Sequence, residues 1–178
     1  MSNPNSHSKT NLTETLLKVR RVTKVVEGGR TFSFSAHVIV GNQSGSVGLG
    51  KGKASEVLSA RSKAANKAKK EIITVPLYKG RTIHHDVEGQ CGSTKILLRR
   101  ARPGTGIIAG LTARSVLSML GIRDIVAKSH GSSNVHTTAR AIIDALSKLS
   151  SPSMIASRRG KKVHELFNQA ETQEETNS

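Results

Sequence analysis

A glycine-rich segment that runs into a lysine-rich helix constrains the fold of this chain more than any other stretch. The segment extends from Gly41 to Lys70. Asn42–Gly45 has the composition of a tight turn, because Asn and Gly accept the backbone conformations that a reversal requires. Val47 and Leu49 then alternate with glycine, which predicts a short strand with one covered face. Gly50–Gly52 predicts that the strand ends and the backbone becomes flexible before the helix begins.

The helix that follows is predicted to have one apolar face and one cationic face. It is predicted to begin near Ala54, with Ser55 as a candidate N-cap. Lys63, Lys67 and Lys70 recur at helical spacing on the other side. A polyanion would relieve their mutual repulsion, so the pattern favours phosphate binding, although a solvated lysine face has the same pattern. The predicted apolar face consists of Ala54, Val57, Leu58, Ala64, Ala65, Ala68 and Ile72.

The charge of the chain restricts the class of partner. With 28 Lys and Arg against 12 Asp and Glu in 178 residues, the net charge is +16 and the sequence pI is about 10.7. Residues 12–71 carry a net +8 (12 basic and 4 acidic side chains), and residues 72–150 carry +7 (11 basic and 4 acidic). A polyanionic partner is expected, and nucleic acid is favoured over a membrane surface. No long apolar run predicts a membrane span.

The N-terminal part of the sequence predicts a small antiparallel sheet with one helix. Residues 1–13 are polar and aperiodic and are predicted to form a disordered arm. A basic strand is predicted over Leu16–Val26, and Glu27–Arg30 has the composition of a turn. From Phe32 to Val40, apolar residues alternate with others in the clearest period-two pattern of the chain. Residues 14–75 are therefore predicted to form a β-β-β-α domain.

A second domain is predicted over residues 76–150, with strand patterns that begin near Ile72. Strands alternate with two helices, which predicts a two-layer α/β sandwich and an α+β chain as a whole. One helix is predicted to follow the loop Pro103–Gly106 and to end at Gly121, and the other to begin after a capping Asn134. The predicted strands are Ile72–Leu77, Thr82–Val87, Lys95–Arg99 and Ile122–Ala127.

Residues 151–178 are predicted to form a partly disordered C-terminal extension. A short helix is expected near Met154, after Pro152. The remainder is polar and ends in an acidic run over Glu171–Glu175.

The candidate catalytic motifs are weak. Gly45–Gly52 nearly matches the phosphate-binding sequence GxxxxGK[ST], but Gly52 lacks the hydroxyl that would hold Mg²⁺. His84, His85 and Cys91 fit no standard zinc spacing. Without paired carboxylates or a Ser/His/Asp arrangement, the chain is predicted not to be an enzyme and to use no cofactor, metal or small-molecule substrate. A P-loop-like nucleotide-binding enzyme is kept as an alternative. The single cysteine excludes an intramolecular disulfide and predicts a cytoplasmic location.

Gly104-Thr105-Gly106 is a second candidate anion site, because it precedes a predicted helix. A plain strand-to-helix turn has the same composition, but Arg99, Arg100 and Arg102 lie nearby and favour phosphate. Aromatic residues make up only 2% of the chain. Recognition of a duplex or of folded RNA is therefore favoured over stacking on unpaired bases.

Two long segments resemble the bacterial S-five family of small-subunit ribosomal proteins. They are Lys24–Val57 and Gly104–Asn134, and the resemblance covers Leu16 to Arg159. It implies an N-terminal domain similar to a double-stranded-RNA-binding fold, followed by an α/β sandwich. It also implies binding to small-subunit rRNA between head and body, near the path by which messenger RNA enters. The implied protein neighbours are S-four and S-eight, and the implied role in translational accuracy is shared with S-four and S-twelve.

The resemblance assigns the candidate residues to two surfaces. Gly28, Gly29 and Arg30 would face RNA near the head, where spectinomycin resistance arises in this family. Gly104, Thr105, Gly106 and Arg114 would lie toward S-four, where changes loosen accuracy. The predicted RNA-binding residues are Arg20, Arg21, Lys24, Gly28, Gly29, Arg30, Lys51, Lys53, Arg61, Lys63, Lys67, Lys70, Arg99 and Arg100.

Four residues depart from the family pattern. Glu27 stands where Lys is usual, and Ser46 replaces a usual Arg, so each removes a cation that could contact phosphate. Arg61 interrupts the apolar stripe of the helix and is expected to reach the edge or the RNA. Val135 replaces a frequent Pro at a helix start. A free duplex-RNA regulator, which would bind many duplexes without joining a ribosome, is the other alternative.

Overall fold

The computed structural model describes residues 12–166, and the first half of that range forms an antiparallel sheet with one helix on one face. Its elements are β1 (Thr13–Val26), β2 (Gly29–Gly41), β3 (Ser46–Ala54), α1 (Val57–Lys70) and β4 (Ile72–Thr74). The strands lie in the order β1-β2-β3-β4, and every neighbouring pair is antiparallel. The β-β-β-α prediction is confirmed, with a short fourth strand added after the helix.

A β-bulge in β1 decides which side chains face the helix. Leu16 pairs with Val38, but the next residue in register is Lys18, which pairs with His37. Because side chains alternate across a strand, the extra residue Leu17 reverses the facing of everything that follows it. Val38 lies in the core beneath α1. The bulge therefore places Lys18 and the residues in step with it on the side of the sheet away from the helix.

The second half forms another four-stranded sheet. Its elements are β5 (Val87–Cys91), β6 (Thr94–Arg100), β7 (Ile107–Ile108), α2 (Leu111–Leu120), β8 (Ile125–His130), α3 (Val135–Ser147) and α4 (Pro152–Arg159). The strand order is β5-β6-β8-β7, with only β7 and β8 parallel. The predicted ends of two helices are confirmed, since Gly121 is left-handed at the end of α2 and the Asn134 side chain caps α3. The short helix expected near Met154 is also confirmed.

The two sheets share one hydrophobic core. Ile39 of β2 and Val47 of β3 belong to the same buried cluster as Leu117 and Leu120 of α2. Contact is so close that a Cβ at Gly41 would lie 2.3 Å from the carbonyl oxygen of Met119. The smaller core, between α1 and the other face of the first sheet, contains Ala36, Val38, Val40, Ala60, Ala64, Ala65 and Ala68.

The alternating glycines of β3 allow α1 to pack directly on the strand. A Cβ at Gly50 would lie 1.9 Å from the Ala64 carbonyl oxygen. Gly48 and Gly52 stand equally close to the helix backbone, with Cβ positions 2.2 Å from the nearest carbonyl oxygen. The prediction that Gly50–Gly52 loosens the chain is wrong, because β3 continues through this segment to Ala54. The glycines serve helix packing and make no phosphate-binding loop.

Several predicted boundaries are also wrong. Ile72–Thr74 completes the first sheet and does not open the second. The predicted strand Thr82–Val87 is a loop with an isolated bridge at Thr82, and a strand begins only at Val87. The strand predicted over Ile122–Ala127 begins at Ile125 and extends to His130. Each error falls where tertiary pairing, which local patterns do not encode, sets the strand limits.

The start of α1 differs from its prediction as well. The helix begins at Val57 and its N-cap is Glu56, which makes no side-chain capping bond, so Ser55 is not the cap. Val57 and Leu58 were predicted to be apolar-face residues, but Leu58 is 76% exposed. Ala64, Ala65 and Ala68 of the predicted face are buried, whereas Ala54 belongs to β3 and is partly buried. Arg61 is exposed, as expected.

Predictions for the termini fall mainly outside the described residues. They concern most of the arm at residues 1–13 and the acidic run Glu171–Glu175. Thr13, the last residue of the predicted arm, already belongs to β1. Within residues 12–166, every helix is too short or too polar to cross a membrane.

Candidate nucleic-acid interface

A cationic surface covers the face of the first sheet that points away from α1. It is formed by Lys18, Arg20 and Lys24 of β1 with Lys51 and Lys53 of β3, all of them exposed. The strand register places these side chains on one side, because the glycines that alternate with Lys51 and Lys53 face the helix. Two cross-strand rows result, which are Lys18–His37–Lys51 and Arg20–Ser35–Lys53.

Lys18 is a member of this surface that the sequence reasoning missed. Its two-residue spacing from Arg20 is the signal that could have found it. The bulge at Leu17 obscures this signal. Side chains before the bulge and after it alternate between the two faces of the sheet in opposite phase, so the facing of Lys18 and Arg20 cannot be extrapolated from the residues that precede them.

The remaining cations of the N-terminal unit lie elsewhere. Arg21 is on the helix side of β1, where its guanidinium carbon sits 3.7 Å from the centre of the Phe32 ring. Gly28, Gly29 and Arg30 form the exposed tip of the β1–β2 hairpin. The hairpin tip is therefore an exposed projection with Arg30 beside it.

The lysines of α1 form a separate surface. Lys63, Lys67 and Lys70 are exposed, and the predicted cationic face is confirmed. Lys67 is 3.8 Å from Glu71, a contact that adds little at this exposure. Because the sheet lies between α1 and the cationic sheet face, these two groups of predicted residues are largely separate and meet at one edge of the sheet, where Lys51 and Lys67 line the same cleft.

Arg99 and Arg100 point to opposite sides of β6. Arg99 lies on the open face of the second sheet with three cationic or titratable side chains that the sequence reasoning missed. The Arg100 guanidinium carbon stands 4.2 Å from the centre of the Tyr78 ring, and its backbone N–H donates to Asp86. The missed residues are Lys95, Lys128 and His130.

The Gly104–Gly106 loop is not an open anion site. The N–H groups of Gly104 and Gly106 donate to Oδ1 of Asp124 at 2.9 and 3.1 Å, and Arg81 pairs with Oδ2 of the same carboxylate at 3.0 Å. The hydrogen bond from Gly106 contributes most to lowering the pKa of the buried Asp124, with Arg81 and Gly104 assisting and burial opposing. The predicted phosphate site is wrong, because an internal carboxylate already fills it.

The same loop borders an exposed apolar patch. It leads into β7 and not directly into a helix, so Ile108 and Leu111 follow it. These two side chains are 53% and 83% exposed. Gly104, Thr105 and Arg114 are exposed beside them. Such a patch favours contact with a protein over contact with RNA.

The catalytic alternatives gain no support from the geometry. Gly45–Gly52, the near match to a phosphate-binding loop, is mostly strand β3 and packs on α1. In the described range, no group of three or more His, Cys, Asp or Glu side chains could hold a metal ion, His84, His85 and Cys91 included.

Two histidines mark the junction of the two halves. His37 of β2 and His136 of α3 have ring centres 5.0 Å apart. Burial, then the neighbouring His136, Lys51 and Arg20, lowers the pKa of His37 to about 4. Burial also lowers the pKa of His136, with Lys51, Arg140 and Lys67 assisting. Both imidazoles are therefore neutral at pH 7 within a cationic surrounding.

Comparison with known proteins agrees with this arrangement. The family described as "Ribosomal protein S5, N-terminal domain" matches residues 12–76, and "Ribosomal protein S5, C-terminal domain" matches residues 89–159. Small ribosomal subunit protein uS5 of Rickettsia typhi is 59% identical over 155 residues, which cover 87% of this chain and 89% of the relative. The Rickettsia massiliae protein of the same name is 58% identical over 156 residues, covering 88% and 89%.

These matches span both sheets and the surfaces described above. They account for a chain whose cations lie exposed on folded elements and which has no catalytic constellation among its described residues. The chain belongs to the uS5 family of small-subunit ribosomal proteins, which are structural, RNA-binding components of the ribosome and not enzymes.

Proposed function

We propose that this protein binds folded small-subunit rRNA through two basic domains, holds head and body of the subunit in register, and contributes to translational accuracy. The observation that carries the proposal is the cationic sheet face of Lys18, Arg20, Lys24, Lys51 and Lys53. A rigid sheet fixes the spacing of these cations, and phosphate contacts at fixed spacing select the shape of an RNA. The scarcity of aromatic residues supports backbone contacts over base stacking.

The domains are assigned to residues 14–75 and 76–150, with 151–178 as an extension. In this assignment the hairpin tip at Gly28–Arg30 reaches RNA of the head. Exposed cations on α1 and Arg99 on the second sheet contact further RNA segments. Arg100 stacks on Tyr78 and anchors the loop before β5, so its contribution to RNA binding is indirect.

The protein-facing surface is assigned to the apolar patch beside the Gly104–Gly106 loop. Ile108, Leu111 and Arg114 would contact S-four, and a change there would alter accuracy in concert with S-twelve. Asp124 fixes the loop through two backbone hydrogen bonds, which supports a rigid docking surface. Contacts with S-eight and with the path of messenger RNA, and the cytoplasmic location of the particle, follow from the same resemblance.

Sedimentation of cell lysate through a gradient, before and after a moderate-salt wash, tests the proposal. Co-migration of the chain with the small subunit through the wash is expected. A chain that stays at the top of the gradient and binds unrelated duplexes equally well would instead be a free duplex-RNA regulator. The variant Arg20→Gln with Lys53→Gln should be retained less well at moderate salt than Arg158→Gln with Arg159→Gln, which removes two exposed cations of α4.

A further inference from the structure

A cleft of about 500 Å³ lies between the two halves of the protein. One wall is made by β3, β4 and the end of α1, and the other by α3. Its floor is apolar, with Leu49 and Ile143 among the lining residues. A volume of this size accommodates a small ligand or part of a nucleotide.

Three cationic side chains and one histidine converge on this cleft from both walls. Lys51 and Lys67 come from the N-terminal half, and Arg140 and His136 come from α3. Glu71 is the acidic residue in the lining, and it pairs with Lys67. Lys51 and Arg140 make no ion pair with any residue in the range 12–166. The cleft therefore holds an excess of positive charge with too few internal partners.

Hydrogen-bonding capacity is also left unused there. The Nδ1 atom of His136, a lining residue, is buried and has no hydrogen-bond partner among the described residues. The same is true of Nδ1 of His37, which does not line the cleft but whose ring centre lies 5.0 Å from that of His136. Buried polar atoms are nearly always satisfied in folded proteins, so unpartnered ones point to a missing ligand or water. In addition, β4 pairs only with Ser46–Gly48, which leaves the edge of β3 open beside Leu49 and Lys51.

We propose that the cleft binds a phosphate group between Lys51 and Lys67 on one side and His136 and Arg140 on the other, and that this phosphate links the two domains. The proposal rests on the proposed function where the phosphate belongs to RNA, and a free phosphate ester has the same chemistry. A dianion would offset the repulsion among these groups and accept hydrogen bonds from them. It would also favour protonation of His136, which faces His37, Lys51, Lys67 and Arg140.

The first test uses the purified full-length chain and inorganic phosphate at constant ionic strength. Nuclear magnetic resonance follows the imidazole signals of the seven histidines as pH is varied. Phosphate should raise the pKa of His136 and leave the imidazole signals of His130, on the far sheet, unshifted at each pH. Arg140→Gln should weaken phosphate binding about tenfold, as expected for the loss of one charge-assisted hydrogen bond.

Lys51→Gln provides the same test from the other wall of the cleft. The matched control is Arg158→Gln, which removes an exposed cation of α4 that does not line the cleft and should leave phosphate binding unchanged. A His136 pKa that does not respond to phosphate would overturn the proposal. So would an equal effect of phosphate on all seven histidines, or an equal loss of binding in Arg158→Gln.

The second test uses folded small-subunit rRNA and identifies the source of the phosphate. If RNA supplies it, Arg140→Gln should reduce the slope of log affinity against log salt by about 0.7–0.9, the value for one neutralised phosphate. An unchanged slope with an intact phosphate response would identify a free phosphate ester. Strong rRNA binding without any His136 response refutes the cleft site alone, whereas absent rRNA binding refutes the proposed function.

Discussion

The packing of α1 on β3 predicts that Gly50→Ala severely destabilises the N-terminal domain. The new Cβ would lie 1.9 Å from the Ala64 carbonyl oxygen and 2.6 Å from the Ala68 nitrogen. Ordinary Cβ contacts begin at 3.4 Å, so strand and helix must separate by about 1.5 Å (3.4 minus 1.9). Both obstacles are backbone atoms, so no rotamer change relieves the clash.

The magnitude follows from the cost of overpacking. Inserting a methyl group into a packed core costs about 1–3 kcal/mol, occasionally more. A backbone-to-backbone clash belongs at the upper end, so the expected loss is about 3 kcal/mol of the free energy of unfolding. With a urea m-value of about 2 kcal/mol/M, the midpoint should fall by about 1.5 M.

Urea titration followed by far-ultraviolet circular dichroism measures this shift, and amide hydrogen exchange locates it. Exchange should accelerate in α1 and β3 before it does in α2 or α3. The matched control is Gly28→Ala, since Gly28 has no atom within 4 Å of an added Cβ and a permitted backbone angle. That variant should change stability by no more than about 0.5 kcal/mol. If Gly50→Ala unfolds at the same midpoint as the control, the packing argument is refuted.

Three further predictions concern a helix cap, a buried histidine and the cationic sheet face. Asn134→Ala should cost about 1 kcal/mol, because its side chain caps α3, whereas Ser55→Ala should be close to neutral in the same urea titration. His37 has a folded-state pKa of about 4 against an ordinary 6.5, so the unfolded chain binds the extra proton and thermal stability should fall from about pH 6.5 to pH 4. Arg20→Gln with Lys53→Gln should lower the salt slope of rRNA binding by about 1.4–1.8, which filter binding over a salt series measures.

Each of these has an outcome that contradicts it. An equal loss of stability in both cap variants would mean that the Asn134 hydrogen bond contributes nothing. A His37→Gln variant that keeps the whole of the acid-dependent loss would assign that loss to other groups, His136 and the carboxylates among them. For the sheet face, an unchanged salt slope would remove the two cations from the RNA contact, with Arg158→Gln plus Arg159→Gln as the control for net charge.

The parts of the fold that the sequence predicts are those in which local pattern and tertiary packing agree. Phe32–Val40 alternates because one side of β2 packs on α1, while most of the other side lies on the cationic sheet face. Ile39, on that other side, enters the core shared with α2 and ends the alternation. Asn134 was identifiable because capping depends on the backbone two residues further along the chain. The glycines of β3 were misinterpreted for the opposite reason. Their meaning depends on alanines of α1 that follow them by 8 to 20 residues in sequence, and glycine composition alone equally fits a phosphate-binding loop.

The sequence predicts which residues of the candidate site are charged, but not the side of the sheet to which their side chains point. Composition identified the cations, yet the bulge at Leu17 decides which face Lys18 and Arg20 occupy, and no period-two pattern reports a bulge in advance. Arg99 and Arg100 are adjacent in sequence and therefore point to opposite sides of β6, so one joins a cationic face and the other stacks on Tyr78. Sequence proximity of basic residues is thus weak evidence for a shared surface on strands.

Two sites in this fold differ in whether their anion-binding groups are already satisfied within the protein. At the Gly104–Gly106 loop, the donors that could hold an anion are already satisfied by Asp124, whose second oxygen pairs with Arg81. At the cleft between the halves, Lys51 and Arg140 have no such internal partner among the described residues. An internal carboxylate makes the first site rigid and unavailable to phosphate. The second retains its repulsion in the free protein, and an external anion is what can relieve it.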